Sequence, residues 1–150
     1  MPLLAASLVT PERIVLELEV QAVMVRTEVG EATFLSGHTP LVGALVPGLV
    51  RFQAEDGTET RAAVHGGFVQ VDGEHVVVLS PIAELAGDID VERARRALEA
   101  ADQALAELGP RSEEPTGAAE RAVVEAEEAR RRAEVRLVVA GAASSTSVSA

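Results

Sequence analysis

The sequence predicts a β + α chain, with an N-terminal antiparallel β-sandwich followed by a C-terminal two-helix antiparallel hairpin. Three observations predict it. Up to Gly87, Gly and Pro punctuate short segments rich in Val, Leu and Thr, with turn signals about every 8–12 residues, the rhythm of a sandwich or barrel. After Gly87 the composition shifts to Ala, Glu and Arg, and apolar residues recur at spacings of three and four. That second region is broken by Gly109-Pro110, which stops one helix and leaves room for another. The expected division is a sandwich over 1–87, a helical hairpin over 88–139 and a disordered tail of small polar residues over 140–150.

The strands follow in order. Leu3 to Val9 is ended by Thr10-Pro11-Glu12, and Arg13 to Val20 and Gln21 to Thr27 come next. Gly30 to Phe52 reads as turn, short strand, turn, apolar strand, turn, strand. Within it Leu41 to Val46 is almost wholly apolar, which predicts burial on both faces. Leu49 to Glu55 and Thr58 to Val64 flank Asp56-Gly57; Phe68 to Val71 and His75 to Leu79 flank Asp72-Gly73. Both dipeptides are strong hairpin signals.

The first helix starts at Asp88 or Asp90, either of which can cap it. Val91, Ala94, Leu98, Ala101, Leu105 and Leu108 form its apolar stripe. Arg111 to Gly117 is a polar loop. The second helix runs from about Ala118 to Val139 with a stripe of Ala119, Ala122, Ala126, Ala129 and Ala133, and with Val123 and Leu137 beside it. An alanine seam permits close approach but buries little area, and at about 25 cal/mol per Å² it stabilises weakly. The hairpin is therefore expected to be marginal and able to leave its resting position.

Composition narrows the function. The chain has 150 residues, 47% of them hydrophobic, and only 2% aromatic, without Trp or Tyr, so the core must be Val, Leu, Ile and Ala. The absence of Cys excludes disulfides and thiolate chemistry. A formal net charge of −11 argues against nucleic acid, which needs a basic face. No apolar run approaches the roughly 18 residues of a membrane span, and no basic-then-apolar leader opens the chain. A soluble protein that meets a membrane only through a partner is the expectation.

The order of motifs resembles the ε subunit of the bacterial F-type ATP synthase. Thr10-Pro11-Glu12-Arg13 is similar to that family's first turn. Gly30-Glu31 followed by Gly37-His38-Thr39-Pro40-Leu41 is similar to its loop and next strand. Leu45-Val46-Pro47-Gly48-Leu49-Val50-Arg51, Gly66-Gly67-Phe68-Val69-Gln70-Val71, and Ala83-Glu84 with Ile89-Asp90 and Arg93-Ala94 follow at matching distances. Thr33, Ser36 and Leu18 depart from the family pattern. The resemblance covers residues 3 to about 108 well and the second helix only in kind. It implies a non-catalytic rotor subunit at the cytoplasmic face of the cell membrane, with the γ subunit, the c-ring and the α/β catalytic subunits as partners. The alternative is a stand-alone nucleotide-sensing sandwich with a helical lid.

Three groups of residues carry the expected contacts. Glu31 and His38 read blandly as a solvated carboxylate and a turn histidine; the resemblance places both at the interface with the c-ring and γ. A neutral imidazole can donate and accept there. Ile89-Asp90 with Arg93-Ala94 reads as a helix cap and an exposed Arg. The resemblance makes it a possible ATP site, with Arg93 and a second-helix arginine such as Arg130 gripping phosphates; ATP is then a regulatory ligand and no cofactor is required. Without a Walker loop, hydrolysis by this chain is not expected. Arg130, Arg131 and Arg132, with Arg136, form the only dense basic patch. It reads either as a solvated face, with Glu127–Arg131 and Glu128–Arg132 pairs, or as the contact of an extended hairpin with the catalytic subunits. No metal site and no catalytic residue is expected.

Overall fold

Alternation of apolar and polar residues dictates the first half of the fold. The computed structural model describes residues 2–108 and 117–141. These fall into two compact units, one ending at Asp88 and the other beginning at Ile89. The first contains β1 (Leu4–Val9), β2 (Ile14–Val20), β3 (Ala22–Thr27), β4 (Gly30–Leu35), β5 (Leu41–Leu45), β6 (Gly48–Gln53), β7 (Glu59–Val64), β8 (Gly67–Val71), β9 (His75–Leu79) and β10 (Ala83–Leu85). They form two five-stranded sheets, ordered β2-β1-β9-β8-β5 and β10-β7-β6-β3-β4. Every ladder is antiparallel except that between β1 and β9. The family's expected sandwich is thus present, with one parallel seam where β1 slots between β2 and β9.

The period of two decides what the sheets enclose. On β1, Leu4, Ala6 and Leu8 point inward, while Ala5, Ser7 and Val9 point out. Leu4, Leu8, Val23, Val50, Phe52 and Val78 have no exposure. The core is the Val-, Leu- and Ala-based one that the composition requires. Of three Phe, Phe34 and Phe52 are buried, but Phe68 is 56% exposed.

Leu41 to Val46, expected to be buried on both faces, is not. β5 lies at the edge of its sheet and alternates; Leu45 is buried but Val42 is 71% exposed. An edge strand between Pro40 and Pro47 suits residues that cannot donate to a ladder. The apolar run therefore marks an open face, not a central strand. The structure also contains β10, whose three residues pair with Val64, Ala63 and Ala62 of β7, too short to declare itself by periodicity.

The two Asp-Gly hairpins form as expected. Asp56 accepts the Thr58 N–H at 2.9 Å, and Asp72 accepts those of Glu74 and His75 at 3.1 and 2.8 Å. These donors hold both carboxyls below the ordinary aspartate range, through the Thr58 amide first at Asp56 and the Glu74 amide first at Asp72. A depressed folded-state pKa stabilises the fold above the unfolded value near 4 and is lost as pH falls through the folded one. Asp72→Asn is accordingly expected to weaken the wild-type loss of stability on acidification below about pH 4, read from melting temperature against pH.

The second unit is an αα-hairpin of α1 (Val91–Leu108) and α2 (Gly117–Val139). Asp90, not Asp88, is the cap; its carboxylate accepts the Arg93 N–H at 3.0 Å. Ala94 and Ala101 are buried on α1, and Val123, Ala126, Ala133 and Leu137 on α2. Val123 and Leu137 thus sit in the buried face itself, while Ala119 is exposed. Spacings of three and four put Arg130 on the same stripe, between Ala126 and Ala133. The expected loop 111–117, apart from Gly117, and the expected tail beyond Gly141 lie outside the described residues. No described helix is long and apolar enough to cross a membrane.

Candidate functional site

Strand directions place the turns at two ends of the sandwich. The β1–β2, β3–β4, β5–β6, β7–β8 and β9–β10 connections gather at one end, and the other four at the opposite end. Backbone bonds stitch the first end together: Val46 N–H to Arg26 O at 3.1 Å, Ser80 N–H to Val9 O at 3.0 Å, and His65 N–H to Ile82 O at 3.1 Å. Ile14, Val29, Phe68, Leu79 and Ile82 are all exposed at this end, Val29 fully.

On the outer face of the first sheet the register aligns Ala44, Phe68, Leu79 and Val9 into one row across β5, β8, β9 and β1, with Ile14 of β2 opposite Val9. One row further along, exposed Val42 lies opposite Gln70. A contiguous apolar row on a sheet face open on one side is the signature of an interaction surface. The sequence reading missed Phe68, Leu79 and Val42 as surface residues. The signal for Val42 is the apolar run itself, which by periodicity alone reads as core.

The two expected interface residues stand at opposite ends of β4. Glu31 is beside the β3–β4 tip at the apolar end, where Arg51 Nη2 donates to its Oε1 at 2.8 Å. His38 is in the β4–β5 turn at the far end. Gly37 N–H donates there to Gly73 O at 2.8 Å. Four strand residues alone separate the two ends by about 13 Å. The His38 ring lies edge-to-face on Phe34, centroids 5.1 Å apart. Its Nδ1 is 2.7 Å from Thr39 O, and a carbonyl only accepts. Nδ1 therefore carries the proton, and in the neutral ring Nε2 is an acceptor.

On the helices, Asp90 and Arg93 are joined through the cap, and Arg93 is exposed. Arg130 is elsewhere. Its Nε contacts Asp102 Oδ1 across the hairpin at 2.8 Å and Glu134 Oε1 at 3.2 Å. Asp102 is nine residues beyond Arg93, about 13 Å along α1. Arg131 is exposed and Arg132 half-buried, and neither makes an ion pair among the described residues; the expected Glu128–Arg132 pair is therefore not formed. Arg130 thus interrupts the apolar seam and replaces burial there by a cross-helix ion pair with both side chains about half exposed. Asp102→Asn is expected to lower hairpin stability by only about 0.2–1 kcal/mol, seen as a small, salt-sensitive loss of helical circular dichroism on heating.

The sandwich thus carries an apolar end and an apolar sheet face, and the helix pair carries a cross-helix ion pair between Arg130 and Asp102. The family described as ATP synthase, Delta/Epsilon chain, beta-sandwich domain, matches residues 3–86. The ATP synthase epsilon chain of Anaeromyxobacter sp. (strain K) is 41% identical over 139 residues, 92% of this chain and 98% of that one. That of Desulforudis audaxviator is 46% identical over 104 residues, 69% of this chain and 75% of its own. The chain belongs to the epsilon chains of the bacterial F-type ATP synthase. Among solved structures, a chain of the Euglena gracilis mitochondrial ATP synthase matches with a TM-score of 0.74 at 27% identity, covering 93% of this chain and 82% of that one. A chain of the Tetrahymena thermophila mitochondrial ATP synthase central stalk and c-ring shares the fold, with a TM-score of 0.54 at 16% identity, over 87% of this chain and 93% of its own.

Proposed function

We propose that this chain is a non-catalytic central-stalk subunit of the proton-translocating ATP synthase. It couples γ to the c-ring and restrains ATP hydrolysis through its C-terminal helices, peripheral to the cytoplasmic face of the membrane. The observation that carries the proposal is the pair of open surfaces on one rigid sandwich. The part of the apolar end that carries Val29 and Glu31, on the β3–β4 tip of the second sheet, serves the c-ring. The outer face of the first sheet, running from Phe68 through Val42 toward His38, serves γ. A sandwich that grips two partners on different surfaces transmits torque without chemistry of its own. Co-purification of the full chain with γ and the c-ring tests this; recovery of neither partner would overturn it.

The hairpin supports the regulatory half of the proposal. Its weak seam keeps two arrangements within a few kcal/mol. The charges of α2 are segregated: Glu120, Glu125, Glu127 and Glu128 outnumber Arg121 in its first half, and Arg130, Arg131, Arg132 and Arg136 outnumber Glu134 in its second. The basic second half is the part suited to acidic segments of the α/β subunits. Removing residues after Asp88 is expected to raise ATP hydrolysis by the assembled complex several-fold, and unchanged hydrolysis would remove the inhibitory role. ATP as a regulatory ligand fits Ile89, Asp90, Arg93 and Ala94 at the open end of the hairpin. Because α1 and α2 are antiparallel and Arg130 is opposite Asp102, Arg136 is nearer the level of Arg93 than Arg130 is. A MgATP titration followed by amide shifts of Asp90 and Arg93 tests it; no movement at millimolar nucleotide leaves Asp90 a cap alone.

A further inference from the structure

We infer that Arg51 is a positioning residue for the Glu31 contact, a role that rests on the reading of Glu31 as a c-ring contact. Arg51 stands on β6, and β3 lies between β6 and the strand that carries Glu31. Adjacent strands are about 4.8 Å apart, so the guanidinium spans roughly 10 Å across the outer face of β3 to reach Glu31. Its Nη2 donates to Glu31 Oε1 at 2.8 Å, while its Nη1 is 3.9 Å from Glu59 Oε2 on β7.

The register explains this reach. Arg61 is directly opposite Arg51 on β7, and like charges in facing positions repel. Arg51 turns instead to the carboxylates on either side. Of these, Glu31 makes the short contact and Glu59 the long one.

The tip that presents Glu31 is held by the β3–β4 ladder, by the Val46 N–H to Arg26 O bond at 3.1 Å and by two bonds of its own turn. Thr27 Oγ1 donates to Gly30 O at 2.8 Å, and Val29 N–H donates to Thr27 Oγ1 at 3.3 Å, both local bonds. The β3–β6 ladder ties this hairpin to the body of the sheet, and Arg51 adds a side-chain tie from β6 to Glu31 itself. A carboxylate keeps lone pairs after one such contact, and the Glu31 side chain retains 52% exposure. The pair therefore fixes the Glu31 rotamer without consuming its capacity to meet a partner. Fixing a side chain beforehand removes the ordering cost from the binding step. Glu59 competes for the same guanidinium and weakens the fixation.

The test is the affinity of the full chain for a complex of γ and the c-ring from the same organism. Glu31→Gln is expected to weaken binding about tenfold, and Arg51→Gln about three- to fivefold. The double variant should match Glu31→Gln within about twofold, because Arg51 acts through Glu31. Arg51→Lys should restore part of the loss, and Glu59→Gln should equal or exceed wild type. Melting curves of each variant separate binding from folding. If Arg51→Gln binds as wild type while Glu31→Gln is weakened, or if the two losses multiply, the positioning role is wrong and the c-ring reading stands. If Glu31→Gln binds as wild type, the c-ring reading of Glu31 falls and the positioning role falls with it.

Discussion

Gly67→Ala is expected to destabilise the sandwich by at least about 3 kcal/mol, because an added Cβ there meets backbone more closely than at the other glycines compared among the described residues. Gly67 opens β8 with φ of +117°, a conformation that L side chains rarely adopt. A Cβ there would stand on the carbonyl oxygen of Leu79 and 2.9 Å from Leu79 C and Ser80 Cα. These are backbone atoms of the adjacent strand end, so no side chain can swing aside. Relief requires β8 and β9 to part, and both carry core residues with no exposure, Val69, Val76 and Val78. Gly57, with φ of +88° but open space around its Cβ position, is the control. Gly57→Ala should cost only about 1 kcal/mol. Urea unfolding followed by far-ultraviolet circular dichroism measures both, since the chain has no Trp or Tyr to report by fluorescence. Equal midpoints for the two variants would show that the close approach at Gly67 is not real.

Phe68→Asp, alone or with Val42→Asp, is expected to lower affinity for γ about 100-fold while leaving the isolated chain folded. The physical argument is one of placement. The two side chains are 56% and 71% exposed, so neither contributes much to the core, and surface substitutions of this kind usually change stability by about 0.5 kcal/mol or less. In a complex the same positions lose water. A carboxylate buried against an apolar partner without a counter-charge then costs several kcal/mol. Phe68 lies in the middle of the row formed with Ala44 and Leu79, where interface energy concentrates. Titration calorimetry with purified γ reads the affinity, and a melting curve checks the fold. Wild-type affinity in both variants would mean that γ docks elsewhere.

The neighbourhood of β5 shows where the sequence stopped being sufficient. An apolar run of five or six residues is compatible with a central strand or with an edge strand that has a functional face. Periodicity does not distinguish them, because the deciding fact is what lies opposite. Here Val42 points to the outer face of the sheet and is open, while Leu45 points to the core. Arg51 is a similar case. The sequence placed it in a motif but could not pair it with Glu31, which is twenty residues earlier and one strand removed.

Arg130 was legible as part of a basic run, and its helical spacing was available as well. Its place in the seam depends on Asp102 lying opposite it on α1. A two-helix register depends on how the connecting segment turns, and local propensity does not fix that.

What the sequence determined by itself was local. Alternation set the strands, Asp-Gly pairs set two hairpins, Asp90 set a helix start, and the order of motifs set the family. These depend on near neighbours along the chain, where side-chain period and backbone conformation act directly. The tertiary structure alone decided which end of the sandwich is apolar, which face of the first sheet is open, and which carboxylates Arg51 and Arg130 hold. Those depend on strand order and on charges brought together from distant positions, and they are the features on which the proposed partner contacts rest.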